Sequence, residues 1–315
     1  MFNPRRNIFL LSLLLLIALP ISAETNQSPQ WKKLDTIQFD LSNGKLKQLW
    51  PKLHQLDQHP FPTPEVIAQQ IQSSPKLLKI YGQETKTFTQ LANDLQKAWQ
   101  SLHEGNLEAG YKQALALGPI GYYPAGHALY LNGYYLMDDD RVRQQQLVEV
   151  SELMEKGLEL EPNNTSLIVL YCYSMGRHLE EQPVKLNNVN KYGRLKKYSE
   201  QILEKNPHHL GAMLMLASLH AKGAAKAPTL SKLYFGLTKQ RALSYYEQAF
   251  AEDKELSLGL VSYADNILRL EPDDGRKQAI AALEKSLAVV PIDSSGYLVW
   301  QDAHKKMIRL QHSNS

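Results

Sequence analysis

The chain has 315 residues, 43% hydrophobic and 21% charged, which suits a globular protein with a sizeable core and allows one large or two ordinary domains. Its formal net charge of +3 excludes the strong basic field of a nucleic-acid binder, so no nucleic-acid partner is expected.

The first segment, MFNPRRNIFLLSLLLLIALPISA (1–23), reads as a secretory signal. Arg5 and Arg6 form a positive start, Ile8 to Leu19 is apolar except for Ser12, and Ala23 places a small residue before a plausible cut. The alternative is an uncleaved anchor, for which the apolar run is short against a span of about 20 residues. Export to the periplasm of a Gram-negative bacterium is expected, without stable membrane insertion after cleavage. Disulfides are permitted there, yet the chain has a lone cysteine, Cys172, which cannot bridge internally. It lies in the apolar run LIVLYCYSM and is expected to be buried and inert rather than reactive.

Residues 24–85 differ in pattern from the remainder of the chain. Pro51, Pro60, Pro62 and Pro75 keep segments short, and Thr63-Pro64 is a cap followed by a first-turn proline. This region is expected to be an N-terminal helical extension that caps the repeats beyond it.

Residues 86–312 repeat themselves. Helical patterns stop at Pro119, Pro162, Pro207, Lys254 and Pro291, spaced 43, 45, 47 and 37 residues apart. Four residues before each stop stand Leu115, Leu158, Leu203, Phe250 and Leu287. Five before stand Ala114, Gly157, Ile202, Ala249 and Ser286, mostly small. Steps of three and four mark one helix face, and small residues let a neighbour approach. A second apolar helix follows each of the first four stops. The excess length sits in two insertions, 180–193 and 223–238. No strand pattern is convincing, so the chain is expected to be all-α. A last helix at about 295–311 carries Trp300 and Met307 on one side and Lys305, Lys306 and Arg309 on another, which suits a capping helix.

These residues resemble the tetratricopeptide repeat, whose second helix reads A-x3-F-x2-A-L-x3-P. The matching positions are Val150, Met154, Gly157, Leu158 and Pro162, then Ala242, Tyr246, Ala249, Phe250 and Lys254. A third copy is Ala279, Leu283, Ser286, Leu287 and Pro291. The repeats are longer than the usual 34 or so. The region also resembles exported bacterial proteins of this type, including components attached to TRAP transporters. The resemblance implies a right-handed solenoid of antiparallel helix pairs whose first helices line a concave groove.

On that alignment the groove positions are Tyr130, Tyr173 and Asp265 at one register, with Ser218, and Tyr134, Arg177, Lys222 and Arg269 at another. The three cations suit a carboxylate or another anion; alternatively, they sit where helix C-termini favour positive charge. On the first view, Arg177→Glu with Arg269→Glu leaves the fold intact and loses the ligand. The run YYPAGHALYLNGYY (122–135) either lines a pocket or fills the core. Gly121, Gly126 and Gly133 within it suggest tight helix contacts.

The histidines stand at unrelated phases and H-E-x-x-H is absent, so no metal site is expected. Asp138-Asp139-Asp140 lacks calcium-loop spacing and reads as a helix link or cap. No G-x-S-x-G, Walker A or G-x-G-x-x-G pattern stands in a helpful context. No catalytic residue and no cofactor are assigned. The sequence therefore points to a non-catalytic scaffold that binds another exported or envelope protein in its groove. The alternative is a binder of an anionic small molecule or peptide terminus, serving a transporter.

Overall fold

The computed structural model describes residues 28–34, 39–83, 86–182 and 186–312; the signal reading of residues 1–23 lies outside the described residues. The protein is all-α, and no strand occurs among the described residues. Three short helices come first: α1 (Lys45–Leu53), α2 (Pro64–Ser73) and α3 (Pro75–Tyr81). Then follow α4 (Phe88–His103), α5 (Leu107–Leu115), α6 (Tyr122–Leu131), α7 (Asp140–Leu160), α8 (Thr165–Glu180) and α9 (Leu186–Lys205). The chain continues with α10 (Leu210–Lys226), α11 (Pro228–Phe235), α12 (Lys239–Glu252), α13 (Ser257–Leu270), α14 (Gly275–Ala288) and α15 (Ser294–His312).

Local chemistry sets many of the starts. Thr63 caps α2 and Ser74 caps α3, each followed by proline in the first turn, and Thr87 with Gln90 forms a reciprocal capping box on α4. Asp139, Asn164 and Thr238 accept from the first turns of α7, α8 and α12, so the aspartate run is a helix start. The expected stops also hold. α5, α7, α9, α12 and α14 end two to four residues before Pro119, Pro162, Pro207, Lys254 and Pro291.

The helices pack in chain order as hairpins: α4 with α5, α6 with α7, α8 with α9, α10 with α12 and α13 with α14. α11 lies in the second insertion and packs on α10. The small residues of the stop pattern sit where one hairpin turns into the next. At Gly121 a Cβ would stand 1.8 Å from the carbonyl oxygen of Ala114, so this turn excludes any side chain. The first members of the hairpins form an inner layer: α4, α6, α8, α10, α13 and α15 each touch the next, and α15 returns to α4. Ser294 Oγ donates to the Leu102 carbonyl at 2.7 Å across that closure.

The N-terminal helices pack against this stack. The Ser74 hydroxyl donates to the Leu160 carbonyl, and Tyr81 donates to the Leu117 carbonyl at 2.5 Å and accepts from the Ile120 amide. The main core runs without a break from Leu41 and Trp50 through Trp99 and Leu129 to Met175 and Met215. The extension therefore shares one core with the repeats. Among the described residues, no helix is long and apolar enough to cross a membrane.

Candidate functional site

The central inner helices α6, α8 and α10 are apolar on most sides, because they face both their outer partners and one another. α6 runs into a single wide turn, Asn132–Leu136, with π geometry. Such a turn brings positions four and five residues on beneath the same side chain. Tyr130 accordingly stacks on Tyr134 at 5.7 Å and meets Tyr135 edge-on at 6.4 Å.

Tyr130 and Tyr135 help line a half-open chamber of about 250 Å3 between α6, α8, the start of α13 and α15. Tyr130, Tyr135, Tyr173, Val169, Leu170 and Val299 supply much of its wall, and His127 and Ser295 also line it. Nδ1 of His127, the Tyr173 hydroxyl and the Ser295 hydroxyl are buried without a hydrogen-bond partner in the protein. An unpartnered buried polar atom costs about 1–3 kcal/mol, a cost that a hydrogen-bonding ligand or a water in the chamber would relieve. Burial pushes the His127 imidazole down to about 3 and the Tyr130, Tyr135 and Tyr173 phenols upward.

One end of the chamber is closed by the loop 54–59, laid across the starts of three inner helices. Tyr123 of α6 donates to Asp57, His59 meets the Ser166 hydroxyl of α8 at 2.9 Å, and the Gly211 amide of α10 donates to the Leu56 carbonyl at 3.0 Å. Asp57 sits at the hub, where helix N-termini favour negative charge. Burial would raise its carboxyl, but the charge and hydrogen bond of His54, with His59 and Tyr123, hold it well below the usual range. The polar chain continues from His54 to His103 at 3.3 Å and from His103 to Asp293 at 2.7 Å. Although several histidines gather here, among the described residues no group of three or more His, Cys, Asp or Glu is placed to hold a metal ion.

The cations read from the sequence stand outside the chamber lining, Arg177 and Lys222 on a neighbouring small pocket. Arg177, Lys222 and Arg269 converge on one carboxylate, Glu180: Arg177 Nη1 lies 3.1 Å and Lys222 Nζ 2.9 Å from Oε2, and Arg269 takes Oε1. Lys226 adds a bond to the Glu180 carbonyl. The Arg177 guanidinium lies 4.5 Å from the centre of the Tyr134 ring, a cation–π contact. Burial opposes ionisation of Glu180, but Lys222, Arg177 and Arg269 outweigh it and hold the carboxyl well below its ordinary value. Burial lowers the Lys222 ammonium to about 8 against the pull of Glu180. Asp265 is taken by Lys306 at 3.0 Å, and Lys306 also holds Asp302.

The chain matches no protein-family model and no curated protein.

All seven residues expected to line the groove thus lie on α6, its π turn, α8, α10 and α13. Tyr130 and Tyr173 wall the chamber; Tyr134, Arg177, Lys222 and Arg269 form the charged node below it; Asp265 belongs to a separate pair. Sequence reasoning missed Glu180, although it stands three positions after Arg177 on the same helix face, where opposite charges meet. It also missed the loop 54–59 and Asp293, whose partners are remote in sequence.

Proposed function

We propose that this is an exported, periplasmic, non-catalytic binding protein built on tetratricopeptide-like helix pairs, and that it holds a small molecule in the chamber between its inner helices. The observation that carries this reading is the half-open chamber of about 250 Å3 whose lining includes His127 and Tyr173, with His127 Nδ1 and the Tyr173 hydroxyl buried and unpartnered within the protein. Aliphatic and aromatic side chains supply much of the lining, as is usual for a ligand site, and Lys52, Asp57, Asp253, Glu255 and Asp293 place charged groups on it as well. The imidazole and phenols of the lining are poorly tuned for general acid–base work near neutral pH, with His127 at about 3 and the tyrosines above their ordinary range, which supports binding rather than catalysis. The signal-like residues 1–23 support export, and the repeated hairpins support the family resemblance.

Ligand-observed NMR of a fragment library tests the proposal, with Val169→Phe as the blocked control, since Val169 is buried in the chamber wall. Binders that vanish with Val169→Phe uphold it. A library with no binder, or binders indifferent to that change, would refute it.

The scaffold reading keeps one observation in its favour. Leu233 and Tyr234 on α11 are 74% and 71% exposed, an apolar pair on the second insertion. Leu233→Ser with Tyr234→Ser should leave stability unchanged and abolish capture of an envelope partner if that reading holds.

A further inference from the structure

We infer that the chamber's ligand is a carboxylic acid with an apolar or aromatic body, its carboxylate docking beside Arg177 and Lys222. The inference rests on the chamber reading and names its ligand class. Three observations carry it.

The first is a charge imbalance. Arg177, Lys222 and Arg269 share the one Glu180 carboxylate, and Lys226 binds the Glu180 backbone carbonyl. Asp265 and Asp302 share one cation, Lys306, and Asp265 also acts on Arg177, so Arg177, Lys222, Arg269 and Lys306 together face three carboxylates. Arg177 and Lys222 are largely buried, with side chains 14% and 15% exposed. Buried cations in excess of their counter-ions are costly, and a bound anion relieves that cost.

The second is adjacency. A small pocket of about 20 Å3 is lined by Tyr173, Arg177, Ser218, Lys222, Leu258 and Ser262. Tyr173 and Leu258 line the chamber as well, so the two spaces are neighbours across those side chains. A space that size exceeds one water by little. It admits the oxygen end of a small head group, not a whole ligand, and a carboxylate suits it better than a bulkier phosphate.

The third is the chemistry of the wall. The Ser218 and Ser262 hydroxyls lie 3.0 Å apart in a network with Tyr246 and Asn266, and their protons can rotate toward an incoming oxygen. Above them the wall is Val169, Leu170, Tyr130 and Tyr135, which suits a branched or aromatic body. Glu180 then acts as the internal counter-ion that keeps the cations folded in the empty state and shares them with the ligand in the bound state.

Calorimetric titration of the protein with 4-phenylbutyrate and with its uncharged amide, 4-phenylbutanamide, tests this. The acid is expected to bind at least tenfold more tightly than the amide. Glu180→Gln should tighten the acid, Lys222→Met should weaken it about tenfold, and neither should move the amide. Val169→Phe should abolish both. Acid and amide binding equally, or acid binding that survives Val169→Phe, overturns the anionic head while the fragment screen still judges the chamber. Should both substitutions at the node prevent folding, the acid-to-amide ratio in the unaltered protein decides. Neither compound binding overturns the inference, and the chamber reading falls with it only if the fragment screen is also empty.

Discussion

Nδ1 of His103, at the end of α4, lies 2.7 Å from Oδ2 of Asp293, at the start of α15, and this bond joins the first inner helix to the last across 190 positions. Both residues are buried, at 0% and 5% exposure. His103 also meets His54 at 3.3 Å, and His54 faces Asp57 at 3.0 Å. Burial lowers the His103 imidazole, and the hydrogen bond and charge of Asp293 oppose that shift.

Breaking that closure should therefore cost more than a surface bond. Asp293→Asn removes the charge and leaves His103 facing a neutral amide, with an expected loss of about 1.5–3 kcal/mol. Ser294→Ala, which removes the neighbouring bond to Leu102, should cost about 1 kcal/mol. Urea unfolding measures both. A loss at Asp293 no larger than at Ser294 would show that the His103 pair does not hold the ends together.

Stability should fall with pH below neutral. Burial sets His59 and His127 at about 3, whereas in an unfolded chain they titrate near 6.5. Each group's contribution is fully present above about 6.5 and is lost as pH falls toward 3, because over that window the unfolded chain binds the extra proton. Each adds up to about 1.4 kcal/mol per pH unit. Asp57 and Glu180, whose folded values are lowered, act in the same direction below about pH 4. Urea unfolding at pH 7, 6 and 5 should show the slope, and His127→Phe should reduce it by about one proton. A flat profile contradicts the buried neutral histidines.

The charge node makes a different demand from the one the sequence suggests. Read from spacing, Arg177→Glu with Arg269→Glu spares the fold. In the structure both arginines bind Glu180, so the double reversal gathers three carboxylates around Lys222. Losing the partners of a largely buried carboxylate costs about 3–5 kcal/mol. The double variant should have a sharply lower Tm, and adding Glu180→Lys should recover part of the loss. A double variant as stable as the parent would mean that solvent screens the node.

The hairpins were legible because their causes are local. A face repeating at steps of three and four, a small residue five before each stop, and a cap after it are written within each unit. Tyr134, Arg177, Lys222 and Arg269 were legible as a set because equal registers of stacked helices meet. The closure was not. Nothing beside His103 marks Asp293, and nothing within 54–59 marks its contact with Ser166 or Gly211. The wide turn at Asn132–Leu136 was also hidden, since Gly133 and two tyrosines fit an ordinary helix end equally well.

Cys172 provides a probe of the core between α8 and α9. The thiol is 1% exposed, and burial pushes it up to about 12, with Ser199 opposing weakly. The thiolate is the reactive species, so at pH 8 the folded protein should react with a disulfide reagent only through opening of the core. The expected rate is far below that of a free thiol, and it should rise in step with urea unfolding. Because Cys172 lies beside the chamber-lining Tyr173, a chamber ligand should slow the reaction further by stabilising the closed state. Fast labelling of the folded protein would show that α8 opens locally, and labelling unaffected by saturating 4-phenylbutyrate would separate this core from the chamber.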